Sequence, residues 1–174
     1  MCRFSVLAVF LASVPVAAQP LTLHYTLVSP LPSSAGRTFG GLSQITDHNG
    51  DGVGDFVLNA RAEGTLWINF FSGATGERFR FLSSTNEALG YPLVELGDAT
   101  GDGVPDFVIG AHREEVEFPS GWFETGAAYL YDGATGQPLW RAISPDPEEF
   151  GNFGQAAAPL GDADGDGRAD VLVA

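Results

Sequence analysis

One feature constrains this chain more than any other: an aspartate-and-glycine segment that occurs three times, each time running straight into a short apolar stretch. The first copy is Asp47-His48-Asn49-Gly50-Asp51-Gly52-Val53-Gly54-Asp55, followed by FVLNA. The second is Asp98-Ala99-Thr100-Gly101-Asp102-Gly103-Val104-Pro105-Asp106, followed by FVIGA. The third is Asp162-Ala163-Asp164-Gly165-Asp166-Gly167-Arg168-Ala169-Asp170, followed by VLVA. Their first aspartates stand 51 and 64 residues apart, and the copies hold ten of the twelve aspartates in the chain. Repetition at this period marks propellers and solenoids, in which one unit cannot bury its own apolar face and must stack on the next.

The stretches between the copies have the pattern of strands. Short apolar runs bounded by turn residues follow each loop, and Leu66–Phe71 and Ala127–Tyr131 are rich in aromatic residues with weak alternation. A second element also recurs, SGATGERFRF from Ser72 and DGATGQPLWR from Asp132. Its Gly-Ala-Thr-Gly core is tight-turn chemistry, with Gly76 and Gly136 placed to take positive φ. No window holds helical periodicity over ten to twelve residues, roughly the length a helix assignment needs. The expected fold is all-β, a partial β-propeller of about three four-stranded blades. Residues 39–89 form the first repeat, 90–149 the second and 150–174 an incomplete third. The segment 112–125 is an acidic, aromatic insertion expected to project as a loop.

Within each loop, oxygen-bearing side chains fall at positions 1, 3, 5 and 9: Asp47, Asn49, Asp51, Asp55; Asp98, Thr100, Asp102, Asp106; and Asp162, Asp164, Asp166, Asp170. A hard cation such as Ca²⁺ takes about six to eight oxygens at about 2.3–2.6 Å in flexible geometry. Glycines at positions 4 and 6 allow the chain to curl so that these oxygens converge. The carbonyls of Val53, Val104 and Arg168 at position 7 are further ligands. Without a cation, carboxylates crowded this way repel one another. The expectation is about three calcium ions, one per loop. Loop two, with neutral Thr100 where the others hold Asn49 or Asp164, is expected to bind most weakly. A helix–loop–helix calcium hand needs an acid at position 12, where Leu58, Ile109 and Val173 stand. Scattered His24, His48 and His112 argue against a transition metal, and His48 is read as an exposed loop residue.

The 174 residues suffice for one ordinary domain. Twenty-two acidic residues face eight arginines with no lysine, a formal net charge of −14, which disfavours nucleic acid and anionic lipid as partners. Residues 1–18 have the form of a secretory signal: Arg3, an apolar run from Phe4 to Val14, then Val16-Ala17-Ala18 before Gln19. The other reading of this segment is a buried N-terminal strand or helix. Cleavage would leave no cysteine, so the mature chain would rely on packing and metal in an oxidising compartment. Residues 19–38 then hold a lead-in and a strand-like segment, Leu21–Val28, expected to close a ring by completing the last blade. No stretch is apolar for long enough to span a bilayer.

With the repeats Phe39-Gly40, Leu89-Gly90 and Phe150-Gly151, the three loops, and the strand ends Leu58-Asn59-Ala60, Ile109-Gly110-Ala111 and Leu172-Val173-Ala174, residues 39–174 resemble the FG-GAP repeats. These build the propellers of integrin α subunits and of many bacterial secreted proteins. The match is imperfect: His112 stands where proline is usual, and Asn59 where glycine is usual. The resemblance implies four-stranded blades, a calcium loop between the first two strands of each, and a ring of about seven blades, of which this chain would be a fragment. It also implies a secreted, periplasmic or cell-surface module for adhesion or for recognition of a protein or glycan. The remaining blades would come from a longer parent chain or from self-association.

No catalytic residue is assigned. The chain has no Gly-x-Ser-x-Gly elbow, no His-Glu-x-x-His and no Ser-His-Asp motif. Glu114, Glu115 and Glu117 could seat a glycosidase-type carboxylate, against a plain solvated loop. The alternative function is a non-catalytic part of a larger secreted hydrolase, carbohydrate-active enzyme or lectin. Trp122 and Phe123 in the insertion are the ligand-binding candidates, with packing against their own blade as the competing role. Trp67, Tyr129 and Trp140 are read as core or inter-blade residues, and Phe39 and Phe150 as packed between blades.

Overall fold

The structure, a computed structural model, describes residues 3–6, 25–28, 37–62, 64–85 and 89–174. Every regular element among them is a strand: β1 Arg3–Val6, β2 Tyr25–Val28, β3 Arg37–Gln44, β4 Phe56–Ala62, β5 Thr65–Phe71, β6 Arg78–Ser84, β7 Leu93–Gly97, β8 Asp106–Ala111, β9 Glu115–Phe118, β10 Gly121–Glu124, β11 Ala127–Tyr131, β12 Pro138–Ala142, β13 Ala157–Gly161 and β14 Asp170–Val173. Two four-stranded antiparallel sheets, β3-β4-β5-β6 and β7-β8-β11-β12, form blades one and two. A two-stranded sheet, β13-β14, follows as unit three. The acidic insertion is not an irregular loop. Its residues 115–124 form a β9-β10 hairpin between the second and third strands of blade two, with Trp122 opposite Glu117 and Phe123 opposite Val116.

Alternation along the strands gives each sheet two faces, and both faces of blade two are used. Phe107, Ile109 and Ala111 of β8, with Ala127 and Tyr131 of β11, pack against Ile45, Val57, Leu66, Ile68 and Phe70 of blade one. On the other face Leu96, Val108 and Ala128 meet Phe153, Ala157, Val171 and Val173 of unit three. β8 is therefore buried along its whole length, which explains why FVIGA is a continuous apolar run and not an alternating one. Gly76 and Gly136 take positive φ, 73° and 72°, in the turns before β6 and β12.

The start of unit three lies three residues later than the sequence reading placed it. Gly90 N–H donates to Gly110 O, and Gly110 N–H to Pro92 O; the same pattern recurs as Gly154 N–H to Ala174 O and Ala174 N–H to Ala156 O. Phe153-Gly154 thus stands in the Leu89-Gly90 place, and Ala174 in that of Gly110. Gly110 and Gly154 meet so closely that a Cβ on Gly110 would strike the carbonyl of Gly154. Phe150 has φ of 61° and is 64% exposed, so it does not pack between blades. Trp140 is also half exposed, while Trp67 lies against Phe81 with the rings tilted and Tyr129 packs on the core. The backbone of Phe39 pairs with Ala60, and its side chain lies outside the described residues.

Tyr25–Val28 pairs with Arg3–Val6 in a separate sheet and not with unit three. Residues 7–24, which hold most of the signal-like segment, lie outside the described residues. Among the described residues no helix is long and apolar enough to cross a membrane.

Candidate functional site

The three acidic segments all fold as the same curled turn between the first and second strands of their unit. In each, the first aspartate accepts hydrogen bonds from the backbone ahead of it. Asp47 takes N–H groups of Gly50 and Gly52, both at 2.7 Å. Asp98 takes Gly101 and Gly103 at 2.7 and 2.8 Å, and Asp162 takes Gly165 and Gly167 at 2.8 and 3.0 Å. The fifth-position carboxylates accept from the position-7 N–H groups of Val53, Val104 and Arg168. This folding pattern is a property of the local sequence, which is why spacing alone could reveal it.

Convergence of the carboxylates differs between loops. Carboxylate oxygens of Asp47, Asp51 and Asp55 lie within 4.8 Å of one another, as do those of Asp162, Asp164 and Asp166. The three loop-two carboxylates do not form such a group, and Thr100 instead donates its hydroxyl to Asp98 at 3.3 Å. An all-oxygen donor set of this spacing suits a hard divalent cation. The Val53 N–H, then the Ser72 hydroxyl and Asn49, hold the Asp51 carboxyl below its usual value, and the Gly103 N–H leads the same effect at Asp98.

The ninth-position aspartate has a second role that spacing did not disclose. Asp55 and Asp106 are 1% and 0% exposed. Asp106 accepts from the N–H groups of Ala99 and Thr100 in its own loop, and from Gly133 N–H across the blade at 2.8 Å. Asp55 likewise joins His48 N–H to Gly73 N–H, at 2.9 and 3.0 Å. Each carboxylate therefore ties the acidic loop to the Gly-Ala-Thr-Gly turn of the same blade. The recurrence of that turn in both repeats was the available signal.

His48 is not exposed. Its side chain is 2% exposed, stacked on Phe107 of blade two at 5.5 Å and close to Phe70. Its Nε2 lies 3.8 Å from Glu95, beyond hydrogen-bond range. Glu95 instead accepts from the N–H and hydroxyl of Thr46 at 2.7 and 2.6 Å. Burial opposes the charged form of Glu95, but His48 and these Thr46 bonds outweigh it and leave the carboxyl below its usual value.

The hairpin lies at the other end of blade two. Successive connections of an antiparallel meander alternate ends, so the β7–β8 loop and the β8–β11 insertion project oppositely. Trp122 is 63% exposed, whereas Phe123 is half-buried and packs on Phe118 at 6.0 Å. Phe118, Pro119, Phe123, Pro147 and Glu149 line an open cavity of about 480 Å³. Glu114 is committed elsewhere: Arg141 binds it at 2.7 Å and Tyr129 donates to it at 2.8 Å. Glu115 and Glu117 flank buried Val116 and face solvent.

Face-packed four-stranded blades, each with an acidic loop between its first and second strands, define a β-propeller segment of the FG-GAP kind. No protein-family model matches the chain. Integrin alpha-4 of Xenopus laevis is 31% identical over 160 residues, covering 79% of this chain and 14% of that protein. Integrin alpha-PS2 of Drosophila melanogaster is 31% identical over 149 residues, covering 76% and 10%. Human integrin alpha-8 is 35% identical over 109 residues, covering 61% and 10%. The chain is thus related to the integrin alpha chains as an FG-GAP-type propeller segment, and it spans only 10 to 14% of the length of these relatives.

Proposed function

We propose that this chain is a non-catalytic, calcium-stabilised recognition module that works outside the cell or at its surface. The observation that carries this reading is the common fold of three acidic loops, two of which bring three carboxylates within 4.8 Å. Calcium would be held by Asp47, Asn49, Asp51, Asp55 and the Val53 carbonyl in loop one, and by the corresponding groups of loops two and three. Such an ion neutralises the carboxylates and adds stability because it binds only the folded turn. Recognition would fall to the opposite end of blade two, where Phe123 lines an open cavity and Trp122 stands exposed on the same hairpin, with a protein or a glycan as ligand. The likeness to integrin alpha chains supports an adhesive role, and the signal-like residues 1–18 support export.

Isothermal titration of calcium into the metal-stripped chain, with magnesium as the control, tests the metal reading. The expected result is close to three ions per chain and no comparable magnesium heat. Absence of calcium binding to a chain shown by circular dichroism to be folded would overturn it.

A further inference from the structure

The acidic turns differ most at their third position, and in loop one that position holds a reactive pair. The chain has five asparagines, and only Asn49 precedes a glycine. In such a pair the backbone nitrogen of the second residue attacks the side-chain amide of the first most readily, because glycine has no Cβ to obstruct the approach. Asn49 and Gly50 are both exposed, and the space beside Gly50 is open: a Cβ there would meet nothing within 4 Å.

The folded turn holds both reacting groups back. Gly50 N–H donates to Asp47 Oδ1 at 2.7 Å, and this carboxylate favours the protonated nitrogen, whereas attack requires the proton to leave. Asn49 Oδ1 accepts Asp51 N–H at 2.9 Å, and Nδ2 faces Asp55 Oδ1 at 3.4 Å. The side chains of His48 and Asp55 are buried, but the residues between them are exposed or half-buried, so the turn can open without unfolding the blade. Loop three shows what a carboxylate does at the same place. Asp164 Oδ1 accepts Asp166 N–H at 3.0 Å, the bond that Asn49 makes to Asp51. Aspartate at position 49 therefore fits the turn and gives loop one the same four carboxylate positions as loop three.

We propose that Asn49 is a self-modification site, which deamidates through Gly50 at a rate set by the opening of loop one and whose aspartate product completes a four-carboxylate loop. Gly50 N bonds to Asn49 Cγ as the Cγ–Nδ2 bond breaks, and the side-chain nitrogen leaves as ammonia with the Gly50 proton. Water then opens the succinimide. Cleavage at Cγ restores the ordinary peptide bond and leaves an aspartate side chain, while cleavage at the main-chain carbonyl leaves isoaspartate. One water enters and one ammonia departs, with no oxidant or reductant. The isoaspartate branch adds a backbone atom before Gly50 and so breaks the spacing that brings the Gly50 and Gly52 N–H groups to Asp47. Control by calcium rests on the reading of these loops as calcium sites, since an ion that binds only the closed loop lowers the open fraction. The folded turn's own control does not.

The test is peptide mapping by mass spectrometry during incubation at mildly alkaline pH, with the chain folded in chelator, folded in calcium, or unfolded in urea. In urea the mass gain of an NH2-to-OH exchange is expected about tenfold or more faster at Asn49 than at the other four asparagines, and Gly50→Ala is expected to remove that excess. Folding in chelator is expected to slow the reaction at Asn49 by about tenfold or more. Free calcium a hundredfold above the loop-one dissociation constant is expected to slow it by about a further hundredfold. Asn49→Asp, which stands for the product, is expected to bind calcium at loop one about tenfold more tightly than wild type in calorimetry. A reaction at Asn49 no faster than at the other asparagines in urea, or equally fast in folded and unfolded chain, would overturn the proposal. Calcium heat without protection of Asn49 would overturn control by the ion. Slow reaction in the folded chain, with neither calcium heat nor calcium protection, would uphold the gated site and overturn the calcium reading instead.

Discussion

Asp106 illustrates how much one carboxylate can hold. With no exposure and three backbone N–H partners, its removal leaves three donors without an acceptor, of which the buried Gly133 N–H alone is worth about 1–3 kcal/mol. Asp106→Ala is expected to cost about 3 kcal/mol or more in metal-free urea unfolding, whereas exposed Asp102→Ala costs little until calcium is added. Equal costs for the two would show that the buried tie is unimportant. Asn59 is the converse case. It is 1% exposed with neither side-chain polar atom partnered, so Asn59→Ala is expected to stabilise by about 1 kcal/mol. A lower urea midpoint would mean that an unseen partner satisfies it. At Glu95 the carboxyl is held below its usual value, so its contribution is full above the ordinary glutamate range. It is lost as pH falls through the lowered value. The gap in stability between wild type and Glu95→Gln is therefore expected at about 2 kcal/mol near neutrality and to close in acid.

At the scale of elements, the acidic turns were legible because their oxygen-bearing side chains, and the hydrogen bonds that curl the chain around them, lie within nine residues. The ties from Asp55 to Gly73 and from Asp106 to Gly133 were not, since they depend on the third and fourth strands folding back beside the first two. The misplaced start of unit three has a plainer cause. Residues 150–154 contain the Phe-Gly pair twice, and only spacing separates them: Gly90 precedes Asp98 by eight residues, as Gly154 precedes Asp162, while Gly151 precedes it by eleven. His48 looked exposed because nothing in a polar turn announces that the next blade will cover it. For the turns themselves, Asp162→Ala is expected to remove a stronger calcium site than Asp98→Ala. The comparison is read from the loss of high-affinity heat in calorimetry. With free calcium a hundredfold above the dissociation constant, each site adds about 2.7 kcal/mol, so chelation should lower the melting temperature in proportion to the sites occupied.

For the whole molecule, strand number and layering followed from the repeat, but which residues remain uncovered depends on what stands beside each blade. Trp140 reads as an inter-blade residue, and it does lie opposite Leu130 on the side of blade two that faces unit three. With only β13 and β14 described in that unit, nothing there reaches as far as β12. Trp122 is different: it projects from a hairpin, so Trp122→Ala is expected to change stability by less than about 0.5 kcal/mol. If the hairpin is the recognition surface, the same variant should lose ligand capture on a glycan or extracellular-protein array. The base of that hairpin is clasped by Gly126 N–H donating to Glu114 O, with Glu114 N–H donating to Ala111 O. Because the clasp fixes where the chain leaves and re-enters the sheet, the exposed positions of the hairpin, Glu115, Glu117 and Trp122, can be exchanged without altering the blade beneath, whereas buried Val116 cannot. If the hairpin is the recognition surface, specificity can change at its exposed positions while the acidic turns at the far end go on holding the shape of the blade.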